Sequence, residues 1–147
     1  MCSSDLTNVI QQARIRKTKM FFEDRISFMN LLVKDIELAI KQSAKKGLVP
    51  VFRLNGTSDL AFEKYEVNRN GQTYSNIFYA FPEVTFYDYT KIANRRNLPA
   101  NYDLTFSYSG VKAFASHAQK ALENGMRLAV VFRNRETVET MLQNGIK

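Results

Sequence analysis

One unit recurs along this chain and limits its possible folds: a short run of β-branched and aromatic residues that breaks off in a polar loop. Pro50-Val51-Phe52-Arg53-Leu54 runs into Asn55-Gly56-Thr57-Ser58-Asp59, and Val84-Thr85-Phe86-Tyr87 runs into Asp88-Tyr89-Thr90-Lys91. Leu104-Thr105-Phe106 ends in Ser107-Tyr108-Ser109-Gly110, and Leu128-Ala129-Val130-Val131-Phe132 is closed by Arg133. Runs of this length and composition, bounded by turn residues, are strands. The last is almost wholly apolar, as expected of a strand covered on both faces in a parallel sheet.

Helical patterns lie around these strands. From Arg25 to Lys46, Ile26, Met29, Leu32, Val33, Ile36 and Ile40 recur at three- and four-residue steps, with Asp24 placed to cap the start and Gly47 to end the helix. Val111, Phe114, Ala115, Ala118, Ala121 and Leu122 form a second stripe that stops at Gly125, and Glu136 to Gln143 forms a final helix. Asn8 to Lys19 reads as a polar helix in which only Val9, Ile10, Ala13 and Ile15 are apolar. The segment Glu63–Ser75 carries Asn68-Arg69-Asn70-Gly71, a hairpin turn signal, and Ile77–Phe81 is a short helix stopped by Pro82. Gly145-Ile146-Lys147 reads as the approach to a further strand. The order predicts an α/β fold: a mostly parallel sheet or partial barrel with flanking helices, its four strands in one sheet.

With 147 residues, 45% of them hydrophobic, the chain has material for one core, so residues 1–147 are expected to form a single α/β domain. Cys2-Ser3-Ser4-Asp5-Leu6 is what the end of a sequencing adapter encodes when translated, so residues 1–6 read as foreign and the domain as a fragment of a longer protein. Cys2 is the single cysteine, which excludes an internal disulfide and any metal site built from several cysteines. No run approaches the roughly 20 apolar residues that span a bilayer. The expected location is therefore cytoplasmic, with no membrane partner. The formal charge of +7, from 21 Lys and Arg against 14 Asp and Glu, favours an anionic partner, either a small ligand or nucleic acid.

Arg53-Leu54-Asn55-Gly56-Thr57-Ser58-Asp59, Phe86-Tyr87-Asp88-Tyr89-Thr90-Lys91, Asn101-Tyr102-Asp103-Leu104-Thr105-Phe106-Ser107 and Ala129-Val130-Val131-Phe132 together resemble the phage and prophage gene product 88 family, over roughly Arg14 to Phe132. The resemblance implies a fold akin to part of a radical-SAM-type barrel, whose longer members carry a cysteine cluster upstream of the matched region. With Cys2 alone, this chain holds no iron–sulfur centre by itself, and no cofactor binds here through cysteines alone.

In parallel α/β folds, ligands bind beyond the carboxyl ends of the strands. Arg53, Asn55, Asp59, Asp88, Lys91 and Ser107 each lie at or beyond a predicted strand end, and this set is expected to converge on a small anionic or nucleotide-like ligand. The catalytic candidates among them are Asp59, Asp88 and Lys91. Asp59 and Asp88 would act as an acid and base or hold a divalent cation, or else serve as turn and strand-end acceptors of backbone hydrogen bonds. Asn55-Gly56-Thr57-Ser58 lacks the spacing of a phosphate loop, and the order of Ser107, Ser109 and His117 matches no hydrolase triad. His117, the only histidine, falls off the apolar stripe and reads as a solvent-side helix residue. A second, non-catalytic reading is a nucleic-acid-associated accessory protein that contacts phosphate through Arg14, Arg16, Lys17, Lys19, Arg95 and Arg96.

Overall fold

A computed structural model of the protein describes residues 3–143, with side chains from 8 to 140. Cys2 and the strand approach expected at Gly145–Lys147 lie outside the described residues. The elements in chain order are α1 (Ser3–Glu23), α2 (Arg25–Lys45), β1 (Val51–Phe52), β2 (Val67–Arg69), β3 (Gln72–Tyr74), α3 (Ile77–Ala80), β4 (Thr85–Thr90), β5 (Tyr102–Tyr108), α4 (Ala115–Glu123), β6 (Arg127–Val130) and α5 (Arg135–Gln143). Single 3-10 turns occur at Phe62–Lys64 and Lys112–Phe114. The chain groups into two compact units, residues 1–51 with 61–85 and residues 52–60 with 86–147.

The first unit is a helical pair with a small hairpin. Asp24 caps α2 as its position predicts, its carboxylate accepting the Ser27 N–H at 3.1 Å, and Gly47 follows the helix at φ +65°. α2 buries Met29, Val33 and Ile36, whereas Ile26, expected on the same face, is 77% exposed in the first turn. α1 runs past Lys19 to Glu23 because Phe21 anchors it, meeting Phe28, Phe62 and Tyr65 edge-on at 5.3, 6.2 and 5.4 Å. The expected hairpin is present: β2 and β3 pair antiparallel, with Asn70 at φ +53° and Gly71 at φ +80°. Consecutive left-handed residues are what a tight two-residue hairpin turn demands, and Asn-Gly adopts them most readily. Asn76 caps α3 by accepting the N–H groups of Phe78 and Tyr79, both at 3.1 Å.

The four predicted strands lie in one sheet, ordered β1-β4-β5-β6, with β4 and β5 parallel and β5 and β6 parallel. α4 packs on β5 and β6 through Ala118 and Ala121. Strand bounds differ from the sequence reading in a way that matters for function. β4 continues through Asp88 and Tyr89 to Thr90, alternating exposed and buried, so Phe86, Asp88 and Thr90 share the inner face. Ser107 likewise lies inside β5 rather than beyond it. β6 is the edge of the sheet and ends at Val130, and Val131 beyond it is 89% exposed. The expectation of a strand covered on both faces is corrected there, since no residue from Arg127 to Val130 is buried. Among the described residues no helix is long and apolar enough to cross a membrane.

Candidate functional site

The second unit brings the expected ligand residues into one polar network at the carboxyl end of the sheet, but with divided roles. Asn55 opens the loop after β1 and is buried, with 1% of its surface exposed. Its Oδ1 accepts from Ser58 Oγ at 2.8 Å and from the Leu60 N–H at 2.9 Å, while its Nδ2 donates to the Leu60 carbonyl at 3.0 Å. One amide therefore closes the 55–60 loop on itself. The loop is tied to β4 by Asp88, whose two oxygens accept the Asn55 N–H at 2.9 Å and Asn55 Nδ2 at 3.2 Å.

Asp88 is a buried carboxyl, 1% exposed. Burial pushes its pKa up, because a charge withdrawn from water is costly. The hydrogen bonds from Asn55 and Tyr102 and the charge of Arg53 pull the other way without cancelling burial. Arg53 stands 3.8 Å from Asp88 with its side chain 40% exposed, and its guanidinium lies 5.1 Å from the centre of the Tyr89 ring.

Asp59 serves the next strand end. Its oxygens accept Thr90 Oγ1 at 2.8 and 2.9 Å and the Lys91 N–H at 2.7 Å, and Arg95 Nη1 meets it at 3.2 Å. Arg95 Nη2 also donates to the Tyr102 hydroxyl at 3.3 Å, and that hydroxyl donates to Asp88 at 3.3 Å. The two aspartates thus belong to one chain of contacts running through Arg95 and Tyr102, yet each is occupied by its own donors. Among the described residues no group of three or more His, Cys, Asp or Glu is placed to hold a metal ion.

Arg95 corrects the nucleic-acid set. Its side chain is 5% exposed and paired with Asp59, so it braces the 91–101 crossover between β4 and β5 instead of facing solvent. That crossover has no helix, and Asn124 Nδ2 also holds it, donating to the Ala93 carbonyl at 2.7 Å. Arg96 is exposed and donates to Asn124 Oδ1. Arg14, Arg16, Lys17 and Lys19 are all exposed on α1, but at about 100° per residue Arg14 and Lys17 lie on one side and Arg16 and Lys19 on the other. They form no single basic stripe.

What remains open is the rim above β4 and β5. A cavity of about 330 Å³ is lined by Lys91, Phe106, Ser107, Tyr108, Ser109, Phe114 and His117. An adjoining cavity of about 320 Å³ shares Lys91 and His117 and adds Ile92, Ala93, Asn94 and Lys120. Lys91 Nζ leans on Ser107, donating to its carbonyl and, at 3.3 Å, to its hydroxyl. Phe114, expected in the apolar stripe of α4, is instead 50% exposed and stands edge-on to His117 at 5.9 Å. The reason is local: α4 begins only at Ala115, so Phe114 precedes the face that Ala118 and Ala121 bury. His117 is on the solvent side as expected, but it also walls both cavities.

Of the six expected ligand residues, Lys91 and Ser107 line this rim, Asn55, Asp59 and Asp88 form the framework behind it, and Arg53 lies beside Asp88 and Tyr89. Phe114 was missed because it falls in the apolar stripe expected to be buried, and His117 and Lys120 because helix position marks them as solvated surface. Thr90 was missed because its strand was ended too early, and Tyr102 because its strand was begun too late. Compared with known proteins, residues 4–144 match the family model described as gene product 88. No curated protein and no solved structure matches the chain, and the further likeness to radical-SAM-type barrels gains no support.

Proposed function

The chain belongs to the phage-type gene product 88 family, and from that premise we propose that its second unit binds a small anionic ligand at the rim lined by Lys91, Ser107 and His117. One observation carries the reading: among the described residues lining the two cavities are Lys91, Lys120 and His117, and no Asp or Glu. A rim with cations and hydroxyls and no carboxylate suits an anion, and its place at the carboxyl ends of parallel strands is where such folds take ligands. An ammonium has three donors, and the two contacts to Ser107 leave one for a ligand oxygen. Asp59 and Asp88 support the rim without entering it, since their oxygens are engaged by Thr90, Lys91, Arg95, Asn55 and Tyr102. We attach no catalytic step to them. The nucleic-acid reading is weaker, because Arg95 is buried and the α1 cations are divided between two sides of the helix.

Thermal melts test the proposal. Pyrophosphate at about ten times its Kd should stabilise the parent by about 1.4 kcal/mol, a rise of a few degrees in Tm. Lys91→Ala should melt near the parent without ligand, its side chain being exposed, and lose that rise. A rise of equal size in Lys91→Ala, or none in the parent at millimolar pyrophosphate, would count against the rim as an anion site.

A further inference from the structure

The two cavities on the rim differ in chemistry, and the difference narrows the ligand class. The first is walled by aromatic surface: the buried Phe106, Tyr108 and the half-exposed Phe114 line it. The second has no aromatic wall apart from the shared His117, and offers Asn94 and Lys120. Lys91 and His117 belong to both, so they stand where the two chemistries meet.

An anion alone would gain nothing from the aromatic side, because phosphate is strongly hydrated and has no face to stack. A flat apolar ring alone would leave Lys91 and Lys120 unused. We infer that the ligand is two-part, a planar aromatic ring joined to a phosphate as in a nucleoside monophosphate, with the ring against Phe114 and Tyr108 and the phosphate between Lys91, His117 and Lys120. The inference rests on the anion reading above and adds the ring to it. Stacking on an aromatic side chain is tolerant of base identity and is worth about 1–3 kcal/mol per base, equivalent to about five- to 150-fold in affinity. Phe114 is suited to this role, because it lines the cavity and half of its surface is open.

Titration calorimetry on the full chain with adenosine 5′-monophosphate, inorganic phosphate and adenosine separates the contributions. The monophosphate should bind at least about tenfold tighter than either part. Phe114→Ala should cost the monophosphate about tenfold and leave phosphate unchanged, and Phe114→Leu should behave as Phe114→Ala does, since it keeps apolar bulk without a ring face. Lys91→Ala should weaken the monophosphate and phosphate alike. If phosphate binds as tightly as the monophosphate and Phe114→Ala alters neither, the ring is refuted while the anion site stands. Adenosine binding as tightly as its monophosphate refutes the two-part ligand from the other side. Binding of none of the three overturns the anion reading and the ring with it.

Discussion

Asp88→Ala is expected to lower the stability of the protein by about 3–5 kcal/mol, the usual cost of removing one partner from a buried charged or hydrogen-bonded group. That is a large share of the roughly 5–15 kcal/mol a domain possesses, and should lower Tm by on the order of 10 °C. The cause is specific: alanine strands the Asn55 N–H and removes one acceptor each from Asn55 Nδ2, which keeps the Leu60 carbonyl, and from the Tyr102 hydroxyl, which keeps Arg95, in a region where Asn55 is only 1% exposed. Asp88→Asn is milder, about 1–3 kcal/mol, since one oxygen remains while the new amide faces the Asn55 donors. The pH dependence has a definite sign. Burial raises the Asp88 pKa above its ordinary value near 3.8, so the stability it contributes is fully present below that value and is lost as pH rises through its own higher value. Asn does not titrate, so the gap between parent and Asp88→Asn should be widest near pH 4 and narrow upward. Urea melts across that range measure it, and a loss below about 1 kcal/mol in Asp88→Ala would remove Asp88 from the framework.

Arg69→Ala should cost about 2–4 kcal/mol, felt in the first unit. The Arg69 side chain is 19% exposed and joins three elements: Nε meets Glu37 of α2 at 3.2 Å, Nη2 meets Glu83 at 2.9 Å, and Nη1 donates to the Ala80 carbonyl at the end of α3. Its guanidinium also lies 3.9 Å from the centre of the Phe81 ring, which is fully buried. Lysine carries the charge but not the planar fork, so Arg69→Lys should recover less than half of the loss. Equilibrium unfolding gives the energies, and hydrogen exchange of residues 67–74 should accelerate most. A lysine variant as stable as the parent would reduce Arg69 to a point charge.

Arg69 also shows where reading a sequence stops. Asn70-Gly71 announced the hairpin because left-handed backbone has few willing residues, and Asp24 and Gly47 announced the ends of α2 for similar local reasons. The partners of Arg69 are long-range, at Glu37, Ala80 and Glu83, and no local pattern points to them. Asp88 was legible in principle. Thr85-Phe86-Tyr87-Asp88-Tyr89-Thr90 alternates at the strand period, which places Asp88 beside Phe86 on the inner face, but aspartate is rare in strands and reads as a loop residue. Six residues from the carboxyl halves of three strands and the loops after them did gather in one unit, because parallel strands deliver these ends to one edge. Position along the chain could not say which would face the cavity and which would hydrogen-bond to one another behind it. Arg95 illustrates the converse error, since a charge in a polar loop looks solvated until Asp59 is found against it.

His117 offers the most direct measurement of the central claim. It is the only histidine in the chain and lies where the two rim cavities meet, so its imidazole carbon–proton signals are a single, self-assigned reporter of the site. Titrating the isotope-labelled protein with adenosine 5′-monophosphate at constant pH and ionic strength should move those signals along a saturable curve, and Lys91→Ala should flatten it. Signals that stay fixed through millimolar ligand in the folded parent would contradict a ligand site at the carboxyl ends of β4 and β5.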